Sequence, residues 1–282
     1  VAGSPTARRR RLSIELKKLR ESRRMTCAQV GAALDWSGSK VNRMETGTGR
    51  VQPSDVEALC RFYDVDDELL EFLKSLARQA KTKGWWQAHD SGVPAWFSIY
   101  VGLEQDASTF RQYQNEFVPG LMQTPRYAAE LHRATNQMTD EDINRAVRVR
   151  MERQERLRSP SAPDSWFVVH ESALRSVIGD QAVMREQLEK VLEMAELPNV
   201  TLQVLTFDAG PYPATGTFSM LGFPDPEDPD IVYRDGITDA VYLEGADEVR
   251  AYGRAFDNLR AAAASPHRSI QVITTLLKDY AK

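Results

Sequence analysis

Four histidines, two cysteines and a loop of aspartates are the residues of this chain whose types could support covalent or metal chemistry. Their spacing supports none. His89, His132, His170 and His267 stand far apart. His170-Glu171 ends a stretch that reads as a strand, where reactive groups are often presented, but a lone histidine there reads better as a hydrogen-bonded structural one. Cys27 and Cys60 fall in apolar helical patterns and read as packing residues, and no Cys/His spacing fits zinc. Asp225, Asp228 and Asp230 sit among Pro224, Pro226 and Pro229 in a loop without calcium-site spacing. No nucleophile elbow, Walker loop or dinucleotide-type glycine loop occurs, and Gly47-Thr48-Gly49 closes a helical pattern instead of opening one. The expectation is a protein that is not an enzyme and uses no metal or cofactor.

What remains is charge. The first 50 residues carry a net charge of +8 and the rest −12, within a total of −4. Such asymmetry points to one segment that meets a polyanion and another that does not. With 282 residues, 42% hydrophobic and 27% charged, the chain has ordinary globular composition and length for two domains. No apolar run is long enough to span a membrane, and the basic N-terminus lacks the apolar stretch of a secretory signal, so a cytoplasmic protein is expected.

The elements that must position the basic residues are helical. Arg8, Arg9, Arg10 and Arg11 read as a basic arm. It precedes a helix from Leu12 to about Arg23, with Leu12, Leu16 and Leu19 on one face. Thr26 is a good N-cap for a second helix that buries Val30, Ala33 and Leu34. Asp35-Trp36-Ser37 breaks the pattern. Ser37 then caps a third helix, Gly38 to Thr46, with Val41 and Met44 inward. Pro53-Ser54 opens a fourth helix and Asp66 precedes a fifth. Five short helices with a tight turn between the second and third are what a helix-turn-helix needs.

The stretch Met25 to Leu34, followed by Ser39-Lys40-Val41-Asn42-Arg43-Met44-Glu45-Thr46-Gly47, resembles the Xre/phage-repressor helix-turn-helix over about residues 12 to 66. Its Arg-x-Glu-x-Gly ending combines a buried acid with a terminating glycine. The resemblance implies that Gly38, Ser39, Asn42 and Arg43 lie on the outward face of a recognition helix in the major groove of double-stranded DNA. Arg43 suits guanine and Asn42 adenine. Thr26, Lys40, Thr46 and Arg50 fall at phosphate-contacting positions, and the arm Arg8 to Arg11 is expected to contact phosphates too. Arg20 and Glu45 match an internal ion pair. Two departures stand out: Cys27 replaces a usual glutamine, and Gly38 brings no side chain to a usual reading position.

Beyond Lys83 the composition changes. Aromatics crowd Trp85 to Phe97, a segment expected to pack one domain against the other. Glu104 to about Gln114 reads as helix. Thr124 caps a helix over 125 to 134 that opens with Pro125. A longer helix runs from Thr139 to about Arg158. Its arginines, at 145, 148, 150, 153, 156 and 158, alternate with acids and read as a solvated, salt-bridged face. Trp166 to His170, Val200 to Leu205, Phe218 to Phe223, Ile231 to Tyr233 and Ala240 to Leu243 read as strands. The first two flank a helix over 181 to 196, as in a βαβ unit, and two helices close the chain.

The phrases VPGLMQTPRYA, HESALRSVIGD and LPNVTLQVL resemble the C-terminal domain of WhiJ-like actinobacterial regulators, which join it to an Xre helix-turn-helix. That resemblance implies a small BldB-like partner protein, in an arrangement likened to antitoxin and toxin. The expected architecture is mainly α with α+β: a five-helix DNA-binding domain at 1–82, then 83–282 with a helical linker region and a small mixed sheet. The expected function is a transcriptional regulator, dimeric on a palindromic operator. The alternatives are an antitoxin-like protein whose main task is sequestering its partner, and a small-ligand-responsive repressor.

Overall fold

A computed structural model describes residues 4–80, 95–135, 138–212, 216–226, 228–236 and 240–280. The chain separates into two compact units, Val1–Ala88 and His89–Lys282. The aromatic segment from Trp85 to Pro94, and with it the packing role expected there, lies outside the described residues.

In the N-terminal unit five helices follow one another: α1 (Pro5–Ser22), α2 (Cys27–Ala33), α3 (Gly38–Glu45), α4 (Pro53–Phe62) and α5 (Asp67–Gln79). Helix α1 starts earlier than its apolar pattern. Ser4 accepts from the Ala7 N–H at 3.2 Å and Pro5 occupies the first helical position, so Arg8 to Arg11 are helical residues and not a leading arm. Three helices end alike. Arg24, Asp35 and Asp64 adopt left-handed backbone, with φ of 53°, 56° and 54°. The next N–H reaches back to Arg20 O, Gly31 O and Cys60 O respectively, closing a six-residue C-terminal loop each time. Leu12, Leu16, Val30, Val41, Met44, Val56, Leu59, Leu73 and Leu76 form a core contained within this unit. Ala33, expected inside, is exposed; Gly31 takes the buried position.

The C-terminal unit is built on a six-stranded mixed sheet of order β3-β2-β1-β4-β5-β6. Its strands are β1 (Thr109–Gln114), β2 (Asp164–His170), β3 (Val200–Leu205), β4 (Phe218–Gly222), β5 (Ile231–Asp235) and β6 (Ala240–Leu243). β1, β2 and β3 are parallel; β4, β5 and β6 add antiparallel neighbours beyond β1. Before and between the parallel strands come α6 (Ala95–Asp106), α7 (Pro125–Thr135), α8 (Asp140–Gln154), the short α9 (Glu171–Arg175) and α10 (Gln181–Ala195); α11 (Ala246–Ala262) and α12 (Pro266–Asp279) close the fold.

Both faces of the sheet are covered, and the period of two shows which residue serves which. Phe110, Phe167, Val169, Leu202, Val204, Leu221 and Ile231 pack in one core with residues of α6, α7, α10 and α12. Tyr113, Val168, Leu205, Phe218, Met220 and Val232 pack against Phe256 and Leu259 of α11 on the other. A central strand covered twice reads as a continuous apolar run, which is why Trp166-Phe167-Val168-Val169 was legible. The stretch from Glu104 to Gln114 is not one helix: α6 ends at Asp106 and β1 begins at Thr109, in the middle of the sheet. The exposed edge of β3 is blunted, because Val204 N–H donates to Ser269 Oγ at 2.8 Å and Val204 O accepts from Ala264 N–H at 2.9 Å.

The helix α8 departs from its expected character. Arg145 does form local pairs with Glu141 and Asp142. Arg153, however, is buried and clamps Glu104 of α6 through two hydrogen bonds of 2.7 and 2.8 Å. Arg156 donates to the carbonyls of Gln105 and Ala107. Those arginines hold the fold together instead of facing water.

Candidate nucleic-acid interface

Helix α3 is positioned by contact at the level of the backbone. A Cβ added to Gly31 would stand 2.8 Å from Gly38 N and from Trp36 O, and one added to Gly38 would stand 2.9 Å from Ala28 Cα. No real side chain tolerates such distances, so both glycines are required by the close crossing of α2 and α3. Gly38 therefore faces α2, not outward, which accounts for its missing side chain at a position expected to read bases. Thr26 starts α2 with a reciprocal cap: its Oγ1 accepts Gln29 N–H at 3.2 Å, and Gln29 Oε1 accepts Thr26 N–H at 2.8 Å. Ser37 caps α3 by accepting Lys40 N–H at 3.1 Å.

The other end of α3 is fixed by polar contacts with α1. Ser13 Oγ donates to Met44 O at 2.7 Å. Arg20 donates to both carboxylate oxygens of Glu45, at 2.7 to 2.9 Å, and its remaining Nη donates to Met25 O at 2.7 Å. The side chains of this pair are only 13% and 5% exposed. The hydrogen bonds it donates to Glu45 raise the Arg20 guanidinium above its ordinary value. Gly47, at φ +70°, ends the helix.

With Val41 and Met44 buried, the opposite face of α3 presents Ser39, Asn42 and Arg43, all exposed. Ser39 and Arg43 stand four residues apart, so they share one stripe of a helix, and a helix of about 10–12 Å diameter fits a major groove. Among the described residues the Arg43 guanidinium has no hydrogen-bond or ion-pair partner. Its planar fork is free to donate twice.

The residues expected at phosphates differ in availability. Thr26 is exposed, and its hydroxyl keeps a proton to donate. Thr46 is exposed, with its hydroxyl on Asn42 O at 2.9 Å and near Thr48 Oγ1. Lys40 is the exception, being already neutralised: its ammonium pairs with Asp55 at 2.7 Å and stands 3.7 Å from the centre of the Trp36 ring. In the arginine run, Arg11 pairs with Glu15 at 3.0 Å, and Arg8 and Arg10 are half-buried. Arg9 is exposed and converges with Arg50, from the loop after α3, on a cleft of about 40 Å³ also lined by Leu12, Val51, Ala77 and Ala80. Nothing in the spacing of residues 9 and 50 announces that meeting.

Among the described residues no three acidic, histidine or cysteine side chains converge as a metal site, and no helix is long and apolar enough to cross a membrane. His170 caps α9, its Nδ1 within 3.1 Å of Ser172 N and 2.6 Å of Ser172 Oγ. Burial raises the Cys60 thiol to about 11, which leaves it protonated and unreactive at neutral pH.

Residues 11–73 match the model of a helix-turn-helix domain, which makes DNA the partner of the N-terminal unit and marks the chain as a regulator of transcription. No curated protein matches the chain, and no solved structure does. Residues 97–275, more than half of the chain, match a domain of unknown function, DUF5753. The protein is thus a member of the DUF5753 family that carries a helix-turn-helix ahead of its family domain.

Proposed function

We propose that this chain is a sequence-specific transcriptional regulator that reads the major groove with Ser39, Asn42 and Arg43 of α3. The observation that carries the reading is the Arg43 guanidinium: exposed on the outward stripe of a capped helix, with no partner among the described residues. Thr26, Thr46 and Arg50, together with Arg9, contact phosphates and set the register. Lys40 has a smaller part, since Asp55 holds it, and Gly38 contributes backbone only. Arg20 and Glu45 hold α3 at its angle to α1.

One helix-turn-helix makes few base contacts, so the regulator acts as a homodimer on a palindromic site, and the C-terminal unit provides dimer and partner contacts. The resemblance to WhiJ-like regulators favours a small BldB-like protein as that partner. The direct test selects binding sites from random duplex DNA with wild-type and Arg43→Ala protein. The substitution is expected to cost about 1–3 kcal/mol and relax the preference at one guanine per half-site. An unchanged site logo at unchanged affinity would remove Arg43 from the interface.

A further inference from the structure

The C-terminal unit places two arginines of α8 against one loop, and among the described residues only one of them forms an ion pair. Arg153 takes it, through the bidentate contact with Glu104. Arg150, one turn earlier, faces the same loop: a Cβ added to Gly120 would lie 3.9 Å from an Nη of each arginine. Among the described residues Arg150 has no acidic partner. Its hydrogen bond goes to the neutral Oε1 of Gln123.

Gln123 is rigidly held for that task. Its Nε2 donates to Val118 O at 2.7 Å, and its own carbonyl accepts from Gln154 at 2.7 Å. The guanidinium is therefore positioned, yet among the described residues no carboxylate pairs with it directly. Burial, with the charge of Arg153 added, lowers it to about 10 against smaller opposing effects of Tyr127, Glu104 and Asp235, so it remains a cation at neutral pH. Two further groups border it. Tyr127 accepts Val118 N–H at 3.4 Å and keeps its own hydroxyl proton. His132 has its imidazole lowered to about 4 by burial and by Arg150, so it is neutral.

If Arg150 served only to hold Gln123, a neutral donor would do so without burying an unmatched charge. A half-buried cation beside a residue that lacks a side chain, with a second guanidinium at the same distance, is an arrangement that can receive an oxyanion. We propose that Gly120, Arg150 and Arg153 form the seat of a small anionic ligand, bound through a carboxylate or phosphate group. Gln123 orients Arg150, and Tyr127 is placed to add a hydroxyl donor. The open groove nearby, about 430 Å³, shares Gln123 and Gln154 with this site but is rimmed by Glu155, Glu186, Glu189 and Glu193 and is not lined by Arg150.

The proposal does not depend on the DNA reading, and it is tested on the full chain without DNA. Thermal unfolding is followed while inorganic phosphate or acetate is titrated, each against chloride at equal ionic strength. At least one anion is expected to raise the melting temperature saturably, with half-saturation in the millimolar range. Phosphate alone would mark a phosphate ester as the ligand class and acetate alone a carboxylate. Arg150→Gln is expected to weaken that effect by at least about tenfold through loss of the charged fork. Without anion, Arg150→Met is expected to melt no earlier than the wild type, whereas Arg153→Met, which strands Glu104, melts earlier. If Arg150→Gln fails to fold, Arg150→Lys keeps the charge without the fork, and half-saturation is again expected to rise. The proposal is overturned if neither anion acts beyond chloride, or if the shift survives unchanged in whichever Arg150 variant folds.

Discussion

Glu45→Gln isolates the ion pair that sets the angle of α3. In the folded protein Glu45 accepts three hydrogen bonds from Arg20 and is 5% exposed, while Arg20 is 13% exposed. Breaking one partner of such a pair costs about 3–5 kcal/mol, because the remaining charge stays buried without compensation. Arg20 keeps two consolations: its bond to Met25 O at 2.7 Å and the carboxylate of Glu21 at 3.6 Å. The lower end, about 3 kcal/mol, is therefore the expected loss. Native-state hydrogen exchange of the full chain reads it locally. If the N-terminal unit opens as one body, amides of α1 and α3 exchange on the order of a hundredfold faster, since about 1.4 kcal/mol corresponds to a factor of ten. Amides of β1 and β2, in the other unit, serve as the internal reference and are expected not to change. The double variant Arg20→Met, Glu45→Leu is expected to be less destabilised than either single change, because no charge is stranded. Unchanged protection of α1 and α3 in Glu45→Gln would refute the argument that this pair holds the helix.

Replacing Arg9 and Arg50 together with glutamine is expected to weaken binding to all DNA sequences alike and to reduce the slope of log affinity against log salt by up to about two units. Fluorescence anisotropy across a salt series measures it, and an intact slope would take both residues off the phosphates. His132 predicts an acid sensitivity in the C-terminal unit. Its imidazole is lowered to about 4 by burial and then by Arg150, so between its unfolded value near 6.5 and that point the unfolded chain binds the extra proton. Stability from this group is complete above about pH 6.5 and is lost as pH falls toward 4, by about 1–3 kcal/mol after allowance for solvent screening. Urea unfolding of wild type and His132→Gln at matched pH values separates this from carboxylate titration, and parallel pH profiles would count against it.

The N-terminal unit was readable because each of its signals lies within a few residues. Ser37, Val41 and Met44 define a capped helix with one buried stripe, and Thr26 with Gln29 defines another start. The basic arm was misread for a reason of the same kind. Ser4-Pro5 is a helix start by its own chemistry, but the apolar pattern begins only at Leu12, so periodicity placed the boundary too late. Gly38 shows where such reading stops. A glycine on a surface stripe looks like a lost contact until the approach of α2 and α3 makes it a necessity.

In the C-terminal unit the distance to the partner decides what could be read. Strand β1 carries Arg111, Gln112 and Gln114, so it looks like a polar helix end. Its place at the centre of the sheet rests on Phe110 and Tyr113 serving opposite cores, and on Gln112 donating to Ser219, 107 residues away, at 2.9 Å. The arginines of α8 make the same point about charge. Arg145 has its acids three and four residues back, and its solvated pairing follows from spacing alone. Arg153 has no acid three or four residues away and turns inward to Glu104, 49 residues away. Arg150, also without an acid at those spacings, turns toward Gln123 and forms no ion pair among the described residues. Spacing along a helix lists the local partners a charge could have, whereas packing supplies the distant ones.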